Sequence, residues 1–133
     1  MRIHHIGIAV ESLAAAIPAF EKILGRGPDW QETVDDQKVR VAVFKLGDSR
    51  IELLEAVSPE SPISRFIHQR GQGIHHVTLA VPRLQERLGE LEKSGIRLID
   101  TKPRIGAGGK RIAFLHPSST AGVLIELVEE HEA

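Results

Sequence analysis

Cysteine is absent from the 133 residues. That excludes disulfide staples, zinc–thiolate sites and cysteine nucleophiles, and it leaves the redox compartment open. Long apolar runs are also missing. None approaches the roughly 20 residues needed to span a bilayer. The start, Met1-Arg2-Ile3-His4-His5-Ile6, runs straight into a strand-like pattern. No signal peptide is therefore expected, and cytoplasm is the default location. Neither sign of charge dominates: 17 Lys and Arg face 18 Asp and Glu, for a net charge of -1. With 41% hydrophobic residues, this is an ordinary globular composition suited to one compact domain over 1–133. It is neither disordered nor, by charge alone, a polyanion binder.

What is present is a repeat. His4-His5-Ile6-Gly7-Ile8-Ala9-Val10 returns as His75-His76-Val77-Thr78-Leu79-Ala80-Val81, 71 residues later. Ile51-Glu52-Leu53-Leu54-Glu55 returns as Ile125-Glu126-Leu127-Val128-Glu129, 74 residues later. A short loop insertion accounts for the difference in offset. Two copies of one module can face each other across a pseudo-two-fold axis, which would bring two His and two Glu to one point.

The patterning supports the repeat. Residues 3–10 alternate and are rich in Ile and Val, so they read as a strand. Ser12 is the expected N-cap of a helix carrying Leu13, Ile17, Phe20 and Leu24, closed by Gly25. Pro18 should kink that helix or move its start towards the proline. Residues 26–37 read as loop or ragged strand, with a short strand near Gln31 to Val34. Val39 to Leu46 and Arg50 to Val57 are strands around a Gly47-Asp48 turn. Ser58 to Gly73 is a connection with a short helix at Ile63, Phe66 and Ile67. The second copy gives a strand at 75–81 and a helix at 83–94 carrying Leu84, Leu88 and Leu91. Further strands are expected near Arg97 to Ile99, Arg111 to Leu115 and Gly122 to Glu129. The tail from Glu130 to Ala133 should fray. Module one thus spans 1–57, the connection 58–73 and module two 74–133.

Side chains alternate across a strand. His5, Gly7 and Ala9 therefore share one face, and His76, Thr78 and Ala80 share the equivalent one. The small neighbours should leave open space beside each imidazole, while Ile6, Ile8 and Val10, and Val77, Leu79 and Val81, pack on helices. Glu52 and Glu126 project opposite their Ile and Leu neighbours. One His or one Glu in a strand is ordinarily structural or solvated. The recurrence of both types on matching faces points instead to a divalent-metal site made of His5, Glu52, His76 and Glu126. Such a sulfur-free set suits Co²⁺, Mn²⁺, Fe²⁺, Ni²⁺ or Zn²⁺, and its carboxylates also admit Mg²⁺. Co²⁺ is the first expectation. An octahedral ion would keep two positions for substrate oxygens or water. His4 and His75 lie on the helix-packing face and read as strand-end packing or hydrogen-bonding residues. His68 and His131 are expected in solvent, and His116 in a turn. Ile105-Gly106-Ala107-Gly108-Gly109-Lys110-Arg111 is either a flexible loop whose cations meet phosphates or a glycine-requiring hairpin turn.

At these residues the chain resembles the vicinal oxygen chelate superfamily, and within it the methylmalonyl-CoA epimerases. The resemblance is nearly full-length. Its carriers are His5 to Val10, Gly47-Asp48, Ile51 to Glu55, Ser61-Pro62-Ile63, Gly73 to His76, Lys102 to Gly106, Phe114 to Pro117 and Gly122 to Leu127. It implies an α+β fold of two tandem βαβββ modules forming a curved mixed sheet around a cavity. It also implies epimerisation of (2R)- and (2S)-methylmalonyl-CoA through a metal-stabilised enolate, in a homodimer. The family's ligands fall on the same four residues, and its catalytic glutamate falls on Glu126. A second family glutamate aligns with Val41, which cannot carry a proton, so Glu52, another side chain or a water is left to act as the second acid/base. Rival readings are a glyoxalase I-like lyase, an extradiol dioxygenase and a metal-free drug-sequestering protein. The four-residue ligand set disfavours the last two.

Overall fold

The computed structural model describes residues 1–131. Strands and helices follow in the order β1 (Arg2–Ala9), α1 (Leu13–Leu24), β2 (Trp30–Val34), β3 (Val39–Leu46), β4 (Ser49–Ala56) and α2 (Pro62–Arg70). The chain continues through β5 (Gly73–Val81), α3 (Leu84–Lys93), β6 (Arg104–Ile105), β7 (Arg111–Leu115) and β8 (Ile125–Glu129). This is an α+β chain with the pattern βαβββ twice. Its contacts divide it into two compact units, one of His5–His75 and one of Met1–His4 with the chain from His76 onward.

In the first unit the strand order is β2-β3-β4-β1. β1 and β4 are parallel, while β4, β3 and β2 are antiparallel neighbours. One sheet face is covered by α1: Val10, Leu13, Ala42, Phe44 and Leu53 form a buried cluster joined by Ile17, Phe20 and Leu24. The other face carries Ala9, Val39, Val41, Val43 and Leu54, against which Ile63, Phe66 and Ile67 of α2 pack.

The second unit repeats the arrangement in the order β5-β8-β7-β6. Leu84, Leu88 and Leu91 of α3 pack with Val81, Ala113, Leu115 and Leu127 on one face. Ala80, Ile112, Phe114 and Val128 cluster on the other. Within this unit the Arg2 guanidinium grips Glu130 through two bonds, Nε to Oε1 at 3.1 Å and Nη2 to Oε2 at 2.7 Å. Glu130 is thus held rather than frayed. The remaining tail expectation falls on Glu132 and Ala133, outside the described residues.

Three local expectations change. α1 begins at Leu13 and runs through Pro18. The start is fixed ahead of the proline, because Ser12 Oγ accepts from Ala15 N and Glu55 Oε1 accepts from Leu13 N. The segment 97–99 forms an isolated bridge, Leu98 to Leu115, rather than a strand, with Ile99 N donating to Phe114 O and His116 N to Arg97 O. There the Asp100 carboxylate takes the Phe114 N–H at 2.8 Å, competing with strand pairing. The strand paired there is β6, antiparallel to β7, so the glycine-rich run is a hairpin turn. Gly108 and Gly109 adopt φ of 68° and 73°, and Arg111 Nη1 bonds Glu129 rather than standing free.

Candidate metal and proton-transfer site

Parallel pairing sets the residues of the first unit. His5 stands opposite Arg50, Gly7 opposite Glu52 and Ala9 opposite Leu54. Paired residues share a sheet face, so His5 and Glu52 are diagonal neighbours on the face away from α1. His5 Nδ1 lies 3.4 Å from Glu52 Oε2. Both residues are buried, 8% and 6% exposed.

The second unit places Thr78 opposite Glu126 and Ala80 opposite Val128. His76, two residues before Thr78, repeats the diagonal. His76 Nε2 lies 3.4 Å from Glu126 Oε1, with both residues 6% exposed. The two pairs have the same donor types and the same spacing, but His5 offers Nδ1 and His76 offers Nε2.

A separation of 3.4 Å exceeds the usual N–H···O range of about 2.7–3.2 Å. It suits two donors on adjacent positions of one small dication, since bonds of about 2.0–2.2 Å put neighbouring ligand atoms roughly 3.0–3.5 Å apart. Each unit therefore presents a His/Glu pair that could hold a divalent ion.

The open space expected beside the imidazoles is in part filled. Ala9 and Ala80 are buried in apolar clusters. Thr78 is fully buried, and its hydroxyl donates to Glu126 Oε1 at 2.5 Å. The sequence pattern marks Thr78 only as a small neighbour. A hydroxyl directly across a parallel register from a carboxylate was the signal for its role. Phe114 sits opposite Glu126 on β7 and meets the His76 ring edge-on, with centroids 6.2 Å apart.

A second duplicated glutamate has a different task. Glu55 Oε1 accepts from Leu13 N at 2.6 Å, and Glu129 Oε2 accepts from Leu84 N at 2.9 Å. Each carboxylate satisfies an otherwise orphaned donor at the first residue of a helix. Recurrence in both modules therefore does not by itself mark a ligand.

Other histidines fall largely as expected. His68 and His131 are exposed. His116 caps a 3₁₀ turn, its Nδ1 accepting from Ser118 N at 3.0 Å. The His75 ring packs edge-on against Phe66, and His4 is 6% exposed.

The family model for the glyoxalase/bleomycin resistance protein/dioxygenase superfamily matches residues 4–114. An uncharacterized Bacillus subtilis protein, YqjC, is 45% identical over 96% of this chain and 91% of its own. The ethylmalonyl-CoA/methylmalonyl-CoA epimerase of Cereibacter sphaeroides is 34% identical over 95% of this chain and 96% of its own. A Streptomyces coelicolor methylmalonyl-CoA epimerase variant, solved with 2-nitronate-propionyl-CoA, superposes with a TM-score of 0.92. That structure shows 32% identity and covers 98% of this chain and 94% of the other. The chain belongs to the methylmalonyl-CoA epimerase family. Its fold is the vicinal oxygen chelate fold of the wider superfamily.

Val41 sits on β3 of the first unit. It is 2% exposed and lies among Ala9, Val43, Leu54 and Ile63. Its counterpart by register in the second unit is Ile112, opposite Val128 as Val41 is opposite Leu54. Both modules are apolar at this point, so no proton transfer originates there. No helix among the described residues is long and apolar enough to cross a membrane.

Proposed function

We propose that this protein epimerises (2R)- and (2S)-methylmalonyl-CoA, with His5, Glu52, His76 and Glu126 holding one divalent ion and Glu126 moving the proton. The reading also takes the tandem modules 1–57 and 74–133, joined by 58–73, to work as one domain, in a cytoplasmic homodimer. The observation that carries it is the pair of buried His/Glu diagonals, each 3.4 Å between donor atoms, in a chain of this family.

The α-carbon of the substrate lies between a thioester and a carboxylate. A divalent ion held by these four residues, Co²⁺ in the first instance, would supply positive charge that favours the enolate. Two glutamate charges balance a dication, and imidazole with carboxylate is the donor set such ions take. Glu126 removes the α-proton, and the electron pair moves into the thioester carbonyl. Thr78 fixes the carboxylate by donating to Oε1. Reprotonation on the opposite face, from Glu52, another side chain or a water, gives the other epimer, and Glu126 returns its proton to solvent. Val41 contributes only apolar packing.

The test is solvent deuterium incorporation at C2 of methylmalonyl-CoA by metal-loaded protein. Exchange that accompanies interconversion of the epimers is expected. Metal-replete protein that binds the thioester yet leaves C2 unexchanged would overturn the reading.

A further inference from the structure

Register carries the face of His5 and Glu52 out to the edge strand β2. One row across the first unit runs Trp30, Val43, Glu52 and Gly7. The next row, two residues along each strand, runs Glu32, Val41, Leu54 and Ala9. Trp30, Glu32 and Val34 are half-buried, while Gln31 and Thr33 between them are exposed. Trp30 and Val34 pack against the cluster of Ala9, Val41 and Leu54. Glu32 is therefore on the same face as the His5/Glu52 pair and directly beside Val41.

Packing alone gives no reason for a carboxyl there. Its row neighbours Val41, Leu54 and Ala9 are buried and apolar. Among the described residues Glu32 makes no ion pair or hydrogen bond, whereas Glu55 and Glu129 are occupied at helix starts. The equivalent row of the second unit runs Arg104, Ile112, Val128 and Ala80. Arg104 is engaged, its Nε 3.5 Å from Asp100 Oδ2 and its Cζ 5.2 Å from the Phe114 ring centroid. The first unit thus has a half-buried, uncommitted carboxyl at the register position where the second has an anchored cation.

Ordinary strand spacing and rise put the Cα atoms of Glu32 and Glu52 about 12 Å apart. That is too far for both carboxylates to hold one ion, whose ligand atoms lie about 2.0–2.2 Å from it. It leaves room for a small acyl group between them. We propose that Glu32 is the second acid/base of the epimerisation, serving the face of the α-carbon that Glu126 does not. In one direction the Glu32 carboxylic acid gives its proton to the enolate carbon. The enolate electron pair forms the new C–H bond, and Glu32 is left as carboxylate. In the other direction that carboxylate takes the α-proton, and the C–H pair moves into the thioester carbonyl. The edge position, half in solvent, lets water restore either form between turnovers. The assignment rests on the epimerase reading and supplies its missing proton donor beside Val41, which cannot be one.

Glu32→Gln tests it, because the amide keeps the shape of the side chain but cannot trade a proton. The metal-loaded variant should match wild type in metal content and in affinity for methylmalonyl-CoA by calorimetry, while epimerisation falls about 10²–10⁴-fold. The decisive readout is deuterium uptake at C2 in heavy water, followed for each epimer separately. Glu126 alone remains to act in this variant, so one epimer should still exchange, without inverting, and the other should not. Glu126→Gln should give the opposite pattern. Glu32→Asp, which returns the carboxyl on a shorter arm, should recover part of the lost exchange, and circular dichroism verifies folding in each case. Wild-type exchange of both epimers by Glu32→Gln would overturn the proposal. So would loss from the same epimer as in Glu126→Gln, or equal loss from both. A wild type that binds the thioester yet exchanges neither epimer would instead refute the epimerase reading itself.

Discussion

The two units carry the same His/Glu diagonal but surround it differently. In the first, Glu52 stands across the register from Gly7, which has no side chain to donate, and α2 packs Ile63, Phe66 and Ile67 on the same face. In the second, Glu126 stands across from Thr78 and is bonded by its hydroxyl, with Phe114 on the far side. Residues shared by both units do what both need: coordinate, or cap a helix. Residues that differ, such as Gly7 and Thr78, assign the units different work. A carboxylate fixed by a buried hydroxyl suits directed proton transfer.

The largest expected effect tests that division. Glu126→Gln should lower epimerisation by about 10²–10⁴, the ordinary contribution of a positioned acid or base. The substrate should still bind, and deuterium exchange should be lost preferentially from one epimer. Glu52→Gln should cost far less at equal metal loading, because an amide oxygen can still ligate. Equal losses in the two variants, measured as kcat with metal content matched, would erase the asymmetry between the units.

Metal stoichiometry sharpens the comparison from the other side. If both pairs serve one ion, the native protein binds one equivalent, and His5→Ala or His76→Ala alone removes nearly all of it. If each pair held its own ion, either variant would retain half. Elemental analysis of the purified variants decides between them.

Much of this was legible in the sequence because it rests on period-two alternation. The assignment of His5, Glu52, His76 and Glu126 to faces away from α1 and α3 follows from Ile, Leu and Val at alternate positions, and the packing of Leu13, Phe20, Leu84 and Leu88 agrees with it. The rest depends on pairing between strands, which one chain segment does not display. Thr78 could be placed on a face, but its bond to Glu126 needed the β5/β8 register. Glu55 and Glu129 recur as visibly as Glu52 and Glu126, yet they cap helices 42 and 45 residues away in sequence. Strand β6 was missed because two residues carry no periodicity, and 97–99 looked like a strand until Asp100 supplied a side-chain acceptor in place of a backbone one.

Thr78→Val probes the difference through stability. The valine is nearly isosteric but donates nothing, so the buried Glu126 carboxylate loses a donor. In metal-free protein the variant should be less stable by about 1–3 kcal/mol in urea, and no loss would remove Thr78 from its positioning role. The capping glutamates should behave alike. Glu55→Ala and Glu129→Ala are each expected to cost about 0.5–2 kcal/mol, the range for losing a helix N-terminal acceptor. A cost confined to one of them would show that the shared motif no longer does shared work.

The smallest effect is in pH. Among the described residues, an exposed or half-exposed carboxyl in each unit is held below its ordinary range. In the first it is Asp29, through the Lys45 amide and then Arg26. In the second it is Glu130, through the Arg2 guanidinium. A folded-state value below the unfolded one means the folded state favours the charged form. The stabilisation is therefore complete above the unfolded carboxylate range and is lost as pH falls through the lowered values. Arg2 and Glu130 are each more than one-third exposed, so solvent screening keeps their share under about 1 kcal/mol. Urea unfolding of Arg2→Ala and Arg26→Ala, followed from about pH 6 to pH 3, should show a shallower acid-side decline than wild type for both. An unchanged slope in Arg2→Ala would mean that the bidentate contact with Glu130 does not couple protonation to folding.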